Sequence, residues 1–248
     1  MDISLYQAAA AMNASSRWQE VVSDNLASSQ VPGFKKQELS FSAVQALSQK
    51  NSPSGVGRFS MPLGVATTNF QPGELQPTGV ATDLAIAGPG FFEVQLPDGR
   101  LGYTRDGQIR ISLQGQLLTK QGLPIMGESG PLQVDINNPE PISVSPNGEV
   151  SQGSTLKGRL KISEFSDSGA LNYTGTSLFT VADATVQSQP AKGSTVRQGF
   201  TENSNTSPVT EMVNLISASR LFEANQKVIQ ATDERMGRLI TEVGNPPS

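Results

Sequence analysis

The stretch that decides the fold lies near the middle of the chain, where residues 88–107 read GPGFFEVQLPDGRLGYTRDG. Two short apolar runs are separated by Pro97-Asp98-Gly99 and end at Asp106-Gly107, and both boundaries consist of turn-forming residues. Further turn signals follow at Gln114-Gly115, Gly122-Leu123-Pro124 and Pro146-Asn147-Gly148. Short apolar runs with turn signals every roughly 8–12 residues are typical of an antiparallel β-domain.

The chain before this domain predicts a long helix. Residues 1–27 contain neither Gly nor Pro, and Leu5, Met12, Gln19 and Leu26 recur at every seventh position. This heptad spacing is typical of a helix that packs along one seam, although Gln19 interrupts the apolar character. We expect Pro32-Gly33 to end the helical region.

The chain after the domain predicts a second, longer helix. Ser207 suits an N-cap, Pro208 suits the first helical position, and Gly237 is the only interruption as far as Val243. Apolar residues fall mostly on one stripe, which contains Met212, Leu215, Ile216, Phe222, Ile229, Met236, Leu239, Ile240 and Val243. A helix of about 36 residues is roughly 54 Å long.

These regions together predict an α+β fold that is mainly β. A central antiparallel β-domain is flanked by long N- and C-terminal helices, which we expect to pair in a coiled-coil-like layer. The predicted domains are 1–34, an N-terminal assembly helix with its Pro-Gly break; 35–77, an extended linker or arm; 78–206, the β-rich middle domain; and 207–248, the C-terminal assembly helix. Residues 35–77 are assigned as a linker because the stretch from Ser48 to Gln76 is rich in Ser, Gly, Pro and Thr.

Composition excludes several classes of function. The 18 Lys and Arg against 22 Asp and Glu give a net charge of −4, so no basic surface is expected for nucleic acid. The chain has no Cys and no His, which removes thiol chemistry, His general bases and Cys/His zinc sites. No stretch approaches the ~20 apolar residues of a membrane span. We predict no catalytic residue, no metal and no cofactor.

The length of the second helix points to self-association. A compact domain of about 150 residues has a radius of gyration near 15 Å, so a helix of roughly 54 Å would extend beyond it. An apolar stripe that extends beyond its own domain is stable only when other chains cover it.

Ten strings along the chain add a family resemblance. They are Asn25-Leu26-Ala27, Val31–Lys35, Thr82–Ile86, Gly88–Phe92, Tyr103–Gly107, Gln198-Gly199, Glu202–Asn205, Glu211-Met212, Arg220–Lys227 and Asp233-Glu234. In content and order they resemble the bacterial flagellar basal-body rod protein family, the rod and hook axial proteins. Residues 35–41 read KKQELSF, without the Arg-rich segment and Asp-Leu pair usual in distal-rod proteins, so we favour the proximal-rod type.

The resemblance implies a structural, non-enzymatic subunit of the flagellar rod. Such a subunit is exported without a cleaved signal peptide by the flagellar type III export apparatus, and polymerises in the periplasm into a drive shaft that transmits torque for motility. The implied partners are further copies, other rod and hook axial proteins, the export apparatus and export chaperones. Neither nucleic acid nor direct membrane insertion is expected.

The predicted assembly interface takes residues from both helices and from the Pro-Gly break. It contains Leu5, Met12, Val22, Asn25, Leu26, Pro32, Gly33, Phe34, Met212, Leu215, Ile216, Phe222, Asn225, Ile229, Met236 and Ile240. Two alternatives stay open. One is a secreted carbohydrate- or peptidoglycan-acting enzyme with a β-domain, which needs acidic residues converging in a concave site. The other is a β-domain adaptor that does not polymerise.

Overall fold

A computed structural model describes residues 3–46, 59–175, 177–181, 186 and 188–244, with side chains at 7–41, 64–175, 177–181, 186, 188–238 and 241. The chain forms two compact units. The helical unit takes Met1–Ala27, Gln37–Thr67 and Ser207–Ser248. The β unit takes Ser28–Lys36 and Thr68–Thr206.

The helical unit contains two helices and a two-stranded sheet. Helix α1 spans Ile3–Ala27 and α2 spans Pro208–Gly244, while β1 (Gln37–Ala46) pairs with β2 (Phe59–Thr68). Asn25 joins α1 to β1, because its Nδ2 donates to the carbonyl of Gln37 at 2.8 Å and its Oδ1 accepts from the Gln37 N–H at 2.9 Å. Neither described helix has the length and apolar character needed to cross a membrane.

The two helices contact each other in antiparallel order. Gln19 Nε2 donates to Ser219 Oγ at 3.3 Å, and Asn225 Nδ2 donates to Ser15 Oγ at 3.4 Å. Residue numbers therefore rise along α1 as they fall along α2. These contacts join polar side chains at positions where a coiled coil carries apolar ones.

The predicted fold class is wrong in its helical part. The described chain is mainly β, with one N-terminal helix and one C-terminal helix, and these do not form the expected coiled-coil-like layer. Such a layer needs large apolar residues at most inward positions. On α2, Glu211, Ala218 and Thr232 are buried, whereas Met212 and Ile216 are more than half exposed. The mainly β character agrees with the prediction.

The β unit consists of short antiparallel strands joined by turns. Their bounds are β3 Leu75–Pro77, β4 Leu84–Ala87, β5 Phe91–Gln95, β6 Leu101–Thr104, β7 Ile109–Ile111, β8 Leu117–Thr119, β9 Met126–Gly127, β10 Gly130–Pro131, β11 Ile142–Val144, β12 Glu149–Gln152, β13 Thr155–Arg159, β14 Ile162–Glu164, β15 Leu171–Gly175, β16 Leu178–Val181, β17 Gln189–Pro190, β18 Thr195–Gln198 and β19 Phe200–Glu202. A 3₁₀ turn at Ser168–Ala170 precedes β15.

A six-stranded sheet in the order β15-β16-β6-β5-β14-β17 forms the centre of the β unit. Successive side chains of a strand point to opposite faces, so β5 places Phe91 on one face and Phe92 on the other. Phe91 packs with Tyr103, Phe165 and Phe179, and Phe92 belongs to a separate aliphatic cluster. Both faces of the sheet are therefore buried. The four-part domain division stays a prediction.

Candidate functional site

Three of the strings that carry the family resemblance meet in the β unit. They come from residues 31–35, 103–107 and 202–205, which are far apart in sequence. We call this cluster the motif junction, and it consists of Gly33, Phe34, Lys35, Arg105, Glu202 and Asn205.

Gly33 allows the close approach of backbones at the junction. Its φ of +69° lies in the left-handed region, and its N–H donates to the carbonyl of Glu202 at 2.8 Å. A Cβ at this position would overlap the backbone of Arg105 and Asp106. Only glycine fits both demands without strain. The next residue, Phe34, is buried and meets Tyr173 edge-on at 6.0 Å.

Glu202 holds two cations inside the protein. Lys35 Nζ lies 2.5 Å from Glu202 Oε1, Arg105 Nη1 lies 3.1 Å from Oε2, and the Gly73 N–H donates to Oε1 at 2.9 Å. The side chains of Lys35 and Glu202 are both 0% exposed. Lys35 also donates to the carbonyl of Gln71 at 2.8 Å. The carboxylate thus accepts three donors, as a buried charge requires.

Arg105 is held on three sides. Besides Glu202, its Nη2 donates to the carbonyl of Gly88 at 2.6 Å, and its guanidinium lies 4.9 Å from the centre of the Phe91 ring. Burial lowers the pKa of Arg105 and of Lys35, and the Glu202 carboxylate opposes both shifts. Because two cations share one carboxylate, replacing Glu202 would leave two buried cations without their anion.

Asn205 connects the two segments of the β unit. It bonds to the end of Ser28–Lys36 and to the beginning of Thr68–Thr206. Its Oδ1 accepts from the Lys36 N–H at 2.7 Å, and its Nδ2 donates to the carbonyls of Asn69 at 2.9 Å and Gln71 at 3.0 Å. Every polar atom of this amide side chain is therefore used in fixing backbone. Lys35, Glu202 and Asn205 are all bonded to other parts of the β unit, so the junction stabilises the fold of this unit.

The helical unit offers a different kind of surface. The first two turns of α2 expose Val209, Met212, Val213 and Ile216 at 72%, 52%, 58% and 54%. These positions are spaced by three and four, so they share one side of the helix. Large apolar side chains exposed together in this way make this face a candidate interaction surface.

The predicted interface residues fall into three groups in the structure. Met212, Ile216 and Met236 are exposed on α2. Met12, Val22, Asn25, Leu26, Leu215, Phe222, Asn225 and Ile229 are buried or half-buried in the helical unit. Pro32, Gly33 and Phe34 belong to the β unit. The side chains of Leu5 and Ile240 lie outside the described residues.

Sequence reasoning missed the charged members of the motif junction. Lys35, Arg105 and Glu202 stand inside the quoted strings, but 97 residues separate Arg105 from Glu202 along the chain. A usable signal was present, because all three are charged residues within otherwise apolar or turn-forming strings.

A groove on the β unit bears on the enzyme alternative. Its volume is about 530 Å³, and its lining includes Arg159, Lys161 and Lys192 but only one carboxylate, that of Glu128. A glycosidase needs two carboxyl groups flanking its substrate, so this groove lacks that arrangement. In the part of the chain described, no group of His, Cys, Asp or Glu is placed to hold a metal ion.

These observations define a class of protein in which a β-rich domain with a buried ionic cluster is combined with two terminal helices, the second of which exposes apolar side chains. Comparisons with known proteins narrow the class. The family model described as flagellar hook protein FlgE/F/G D1 domain matches residues 85–152. The model described as flagellar basal body rod FlgEFG protein C-terminal matches residues 197–242. The chain belongs to the flagellar basal-body rod protein family.

Relatives match along most of the chain. The flagellar basal-body rod protein FlgF of Caulobacter vibrioides is 33% identical, over 98% of this chain and 99% of the relative. FlgF of Salmonella typhimurium is 31% identical, over 96% and 97%. FlgG of Buchnera aphidicola from Acyrthosiphon pisum is 32% identical, over 88% and 91%. The D1-domain family model includes Arg105 and Phe91, and the C-terminal family model includes Glu202.

Proposed function

We propose that this chain is a structural subunit of the bacterial flagellar basal-body rod and that it acts without catalysis. The observation that carries the proposal is the match to a relative named as a flagellar basal-body rod protein over 98% of the chain. The apolar face at the start of α2 supports it, because an assembling subunit needs a surface that another chain can cover. Nothing in the comparisons favours the enzyme alternative.

The partners we propose are further copies of this chain and other rod and hook axial proteins. Assembly through the terminal helices would place the subunit in the drive shaft that transmits torque. We also propose export by the flagellar type III apparatus, with its chaperones, and a place in the periplasmic rod. Residues 35–41, which lack the Arg-rich segment of distal-rod proteins, support the proximal position.

The test is incorporation into the rod in a strain whose only copy of the gene is altered. We expect Met212→Ser with Ile216→Ser to reduce both swimming and the amount of the protein in purified basal bodies. The reason is that two apolar side chains, each worth roughly 1.5–3 kcal/mol when fully buried, would be lost from a contact between chains.

Gln226→Ser with Gln230→Ser is the matched control, because both residues are exposed on α2 and polar. These variants should swim normally. Absence of the unaltered protein from purified basal bodies would contradict the proposed function.

A further inference from the structure

The groove on the β unit has a basic lining in an acidic protein. Arg159, Lys161 and Lys192 line it, whereas the chain as a whole carries a net charge of −4. The groove volume of about 530 Å³ falls within the roughly 300–1,000 Å³ that is typical of ligand sites. All of its lining residues belong to the β unit. We call it the basic groove, and it shares no residue with the exposed apolar face of α2.

One wall of the basic groove is the strand segment that leads into β14. Leu160 and Ile162 pack into the aliphatic core of the β unit. Because successive side chains of an extended chain point to opposite sides, Arg159 and Lys161 both point away from that core and towards the groove. Two residues of extended chain span roughly 6.6 Å. This wall therefore presents two basic groups with the spacing of alternate residues in a strand.

Lys161 is held in place from behind by a buried carboxylate. Its Nζ lies 2.9 Å from Glu93 Oε1, and Ser163 Oγ donates to Glu93 Oε2 at 3.0 Å. The Glu93 side chain is 1% exposed, whereas that of Lys161 is 44% exposed. An ammonium group carries three N–H donors, so this contact leaves donors of Lys161 for a molecule in the groove.

Arg159 is oriented by the backbone of a neighbouring turn. Its Nε donates to the carbonyl of Asn147 at 2.9 Å. Its Nη1 lies 3.6 Å from Glu128 Oε1, and both side chains of this ion pair are exposed. An exposed pair at this distance contributes only about 0–1 kcal/mol, and a guanidinium has five N–H donors. Arg159 can therefore bind a further carboxylate without losing a strong contact.

Lys192 lies on the other wall of the groove. The N–H of Ala191 donates to the carbonyl of Ile162 at 3.1 Å, and continuing this antiparallel register by one residue places Lys192 across from Lys161. Lys192 is exposed, and among the residues that the structure describes it takes part in no ion pair. Its ammonium group is therefore available to an anionic ligand.

The loop that carries Lys192 is fixed within the β unit. Glu164 Oε1 accepts from the Gly193 N–H at 3.1 Å and from Ser194 Oγ at 2.7 Å. Ser194 lines the groove, whereas Glu164 lies outside its lining. Both walls are thus held by hydrogen bonds or ion pairs before a ligand arrives, and this lowers the entropy cost of binding.

The spacing of the basic groups matches an extended acidic peptide. Carboxylates at alternate positions of an extended peptide point to one side, roughly 6.6 Å apart, which is the spacing of Arg159 and Lys161. The hydroxyl and amide side chains of Ser188, Gln189 and Ser194 also line the groove and suit the polar backbone of a peptide. The full sequence of this chain contains no two Asp or Glu residues separated by one residue. A second copy therefore does not supply the pattern.

We propose that the basic groove binds an extended segment of a different protein in which Asp or Glu stand at alternate positions. Two carboxylates of this segment meet Arg159 and Lys161, and Lys192 contacts the segment from the other wall. This site goes beyond the structural role proposed above, because it holds a protein that is not a further copy of the chain. Complementary charge gives such a contact its specificity.

Peptide binding to the full-length protein tests the spacing. The probe is a labelled peptide of sequence Ser-Glu-Ser-Glu-Ser-Glu-Ser, and fluorescence anisotropy measures its affinity. The matched control peptide, Ser-Ser-Glu-Glu-Glu-Ser-Ser, has the same composition and charge, but its neighbouring carboxylates point to opposite sides when the peptide is extended. We expect the alternating peptide to bind about five-fold more tightly. Equal affinities, or no binding of either peptide, would overturn the inference.

A charge reversal tests whether the groove is the site. Lys192→Glu should weaken binding of the alternating peptide about ten-fold. Arg110→Glu is the matched control, because Arg110 is exposed, lies outside the groove lining and changes the net charge equally. This control should bind the peptide like the wild type, and both variants should keep the wild-type melting temperature.

Two further outcomes would contradict the proposed site. Equal weakening by Lys192→Glu and Arg110→Glu would show that only the net charge of the protein matters. A single-stranded oligonucleotide of the same charge that binds as tightly as the alternating peptide would show a general affinity for polyanions. Neither outcome bears on incorporation into the rod, so the proposed function is judged separately.

Discussion

The motif junction and the helix pair use side chains in opposite ways. In the β unit, the charged side chains of Lys35 and Glu202 are fully buried, and both carboxylate oxygens of Glu202 accept hydrogen bonds. In the helical unit, large apolar residues such as Val209 and Ile216 are exposed, and polar Ser15 and Asn225 face the neighbouring helix. The usual distribution of polar and apolar side chains is reversed in both places.

This contrast separates residues that hold the fold from residues available to a partner. A buried charge cluster around a carboxylate that is fully hydrogen-bonded within its own chain is costly to disturb. An exposed apolar row costs little to change in the monomer, and it is stabilised only when another molecule covers it. Single variants should therefore lower the free energy of unfolding strongly in the motif junction and only slightly in the exposed apolar row of α2.

The largest expected effect is at Glu202. Glu202→Gln keeps the shape of the side chain but leaves Lys35 and Arg105 without an anion, so we expect a loss of about 3–5 kcal/mol in the free energy of unfolding. Urea denaturation of the full chain, followed by circular dichroism, measures it. Glu128→Gln is the control, since the Glu128–Arg159 pair is exposed and should contribute only about 0–1 kcal/mol. Equal losses of unfolding free energy in Glu202→Gln and Glu128→Gln would contradict the expected difference between the buried and the exposed ion pair.

A smaller effect is expected inside the helix pair, at Ala218. This residue is 0% exposed, so Ala218→Leu must force side chains into a filled space at a cost of about 1–3 kcal/mol. The exposed Ala224→Leu, on the same helix, should leave stability unchanged. The helical circular dichroism signal, recorded during thermal unfolding, compares the two variants. If both melt like the wild type, α2 does not pack closely at Ala218.

The smallest effect is a pH dependence at Asp106, next to the junction. Burial raises the pKa of Asp106 above its ordinary value of 3.8. A raised pKa means that the folded protein holds this proton more tightly than the unfolded chain does. Its contribution to stability is therefore complete below about pH 3.8 and is lost as the pH rises through the folded-state pKa.

Asp106→Asn removes this dependence, because an amide does not titrate in this pH range. Asparagine can still accept the Gln108 N–H at Oδ1, so the local structure is kept. The difference in unfolding free energy between wild type and variant should change across that pH range. Asp135→Asn is the control, since Asp135 is exposed and accepts from the N–H of Asn137, also two residues along the chain. A wild type that gains stability relative to Asp106→Asn as the pH rises would reverse the expected sign.

Local patterns predicted local structure. The turn residues at 97–99 and 106–107 bound strands β5 and β6, and Pro208 begins α2 as expected. Local patterns did not show which side of each helix would be buried and which would be exposed. Leu215 and Ile216 are neighbours of similar hydrophobicity, yet Leu215 is half-buried and Ile216 is exposed. Apolar spacing identifies sides of a helix but does not say which side packs against α1 and which stays exposed.

The junction escaped prediction for a related reason. Contacts between Lys35, Arg105 and Glu202 depend on how the strands are brought together, and no spacing along the chain encodes that. Resemblance to a family identified the strings that contain these residues without explaining them. The structure supplies the explanation, because the strings meet around one carboxylate.

The Asn205 amide has a consequence for how such a protein can change over time. By bonding to Asn69, it fixes the start and the end of the long segment Thr68–Thr206 of the β unit at one place. A segment whose two ends are pinned together behaves as an inserted cassette, in which loops remote from the ends can lengthen at little cost. The β12–β13 hairpin, whose Leu156 is exposed, is one such place. Related subunits can therefore diversify their β-rich cassettes while the points at which the chain enters and leaves them stay the same.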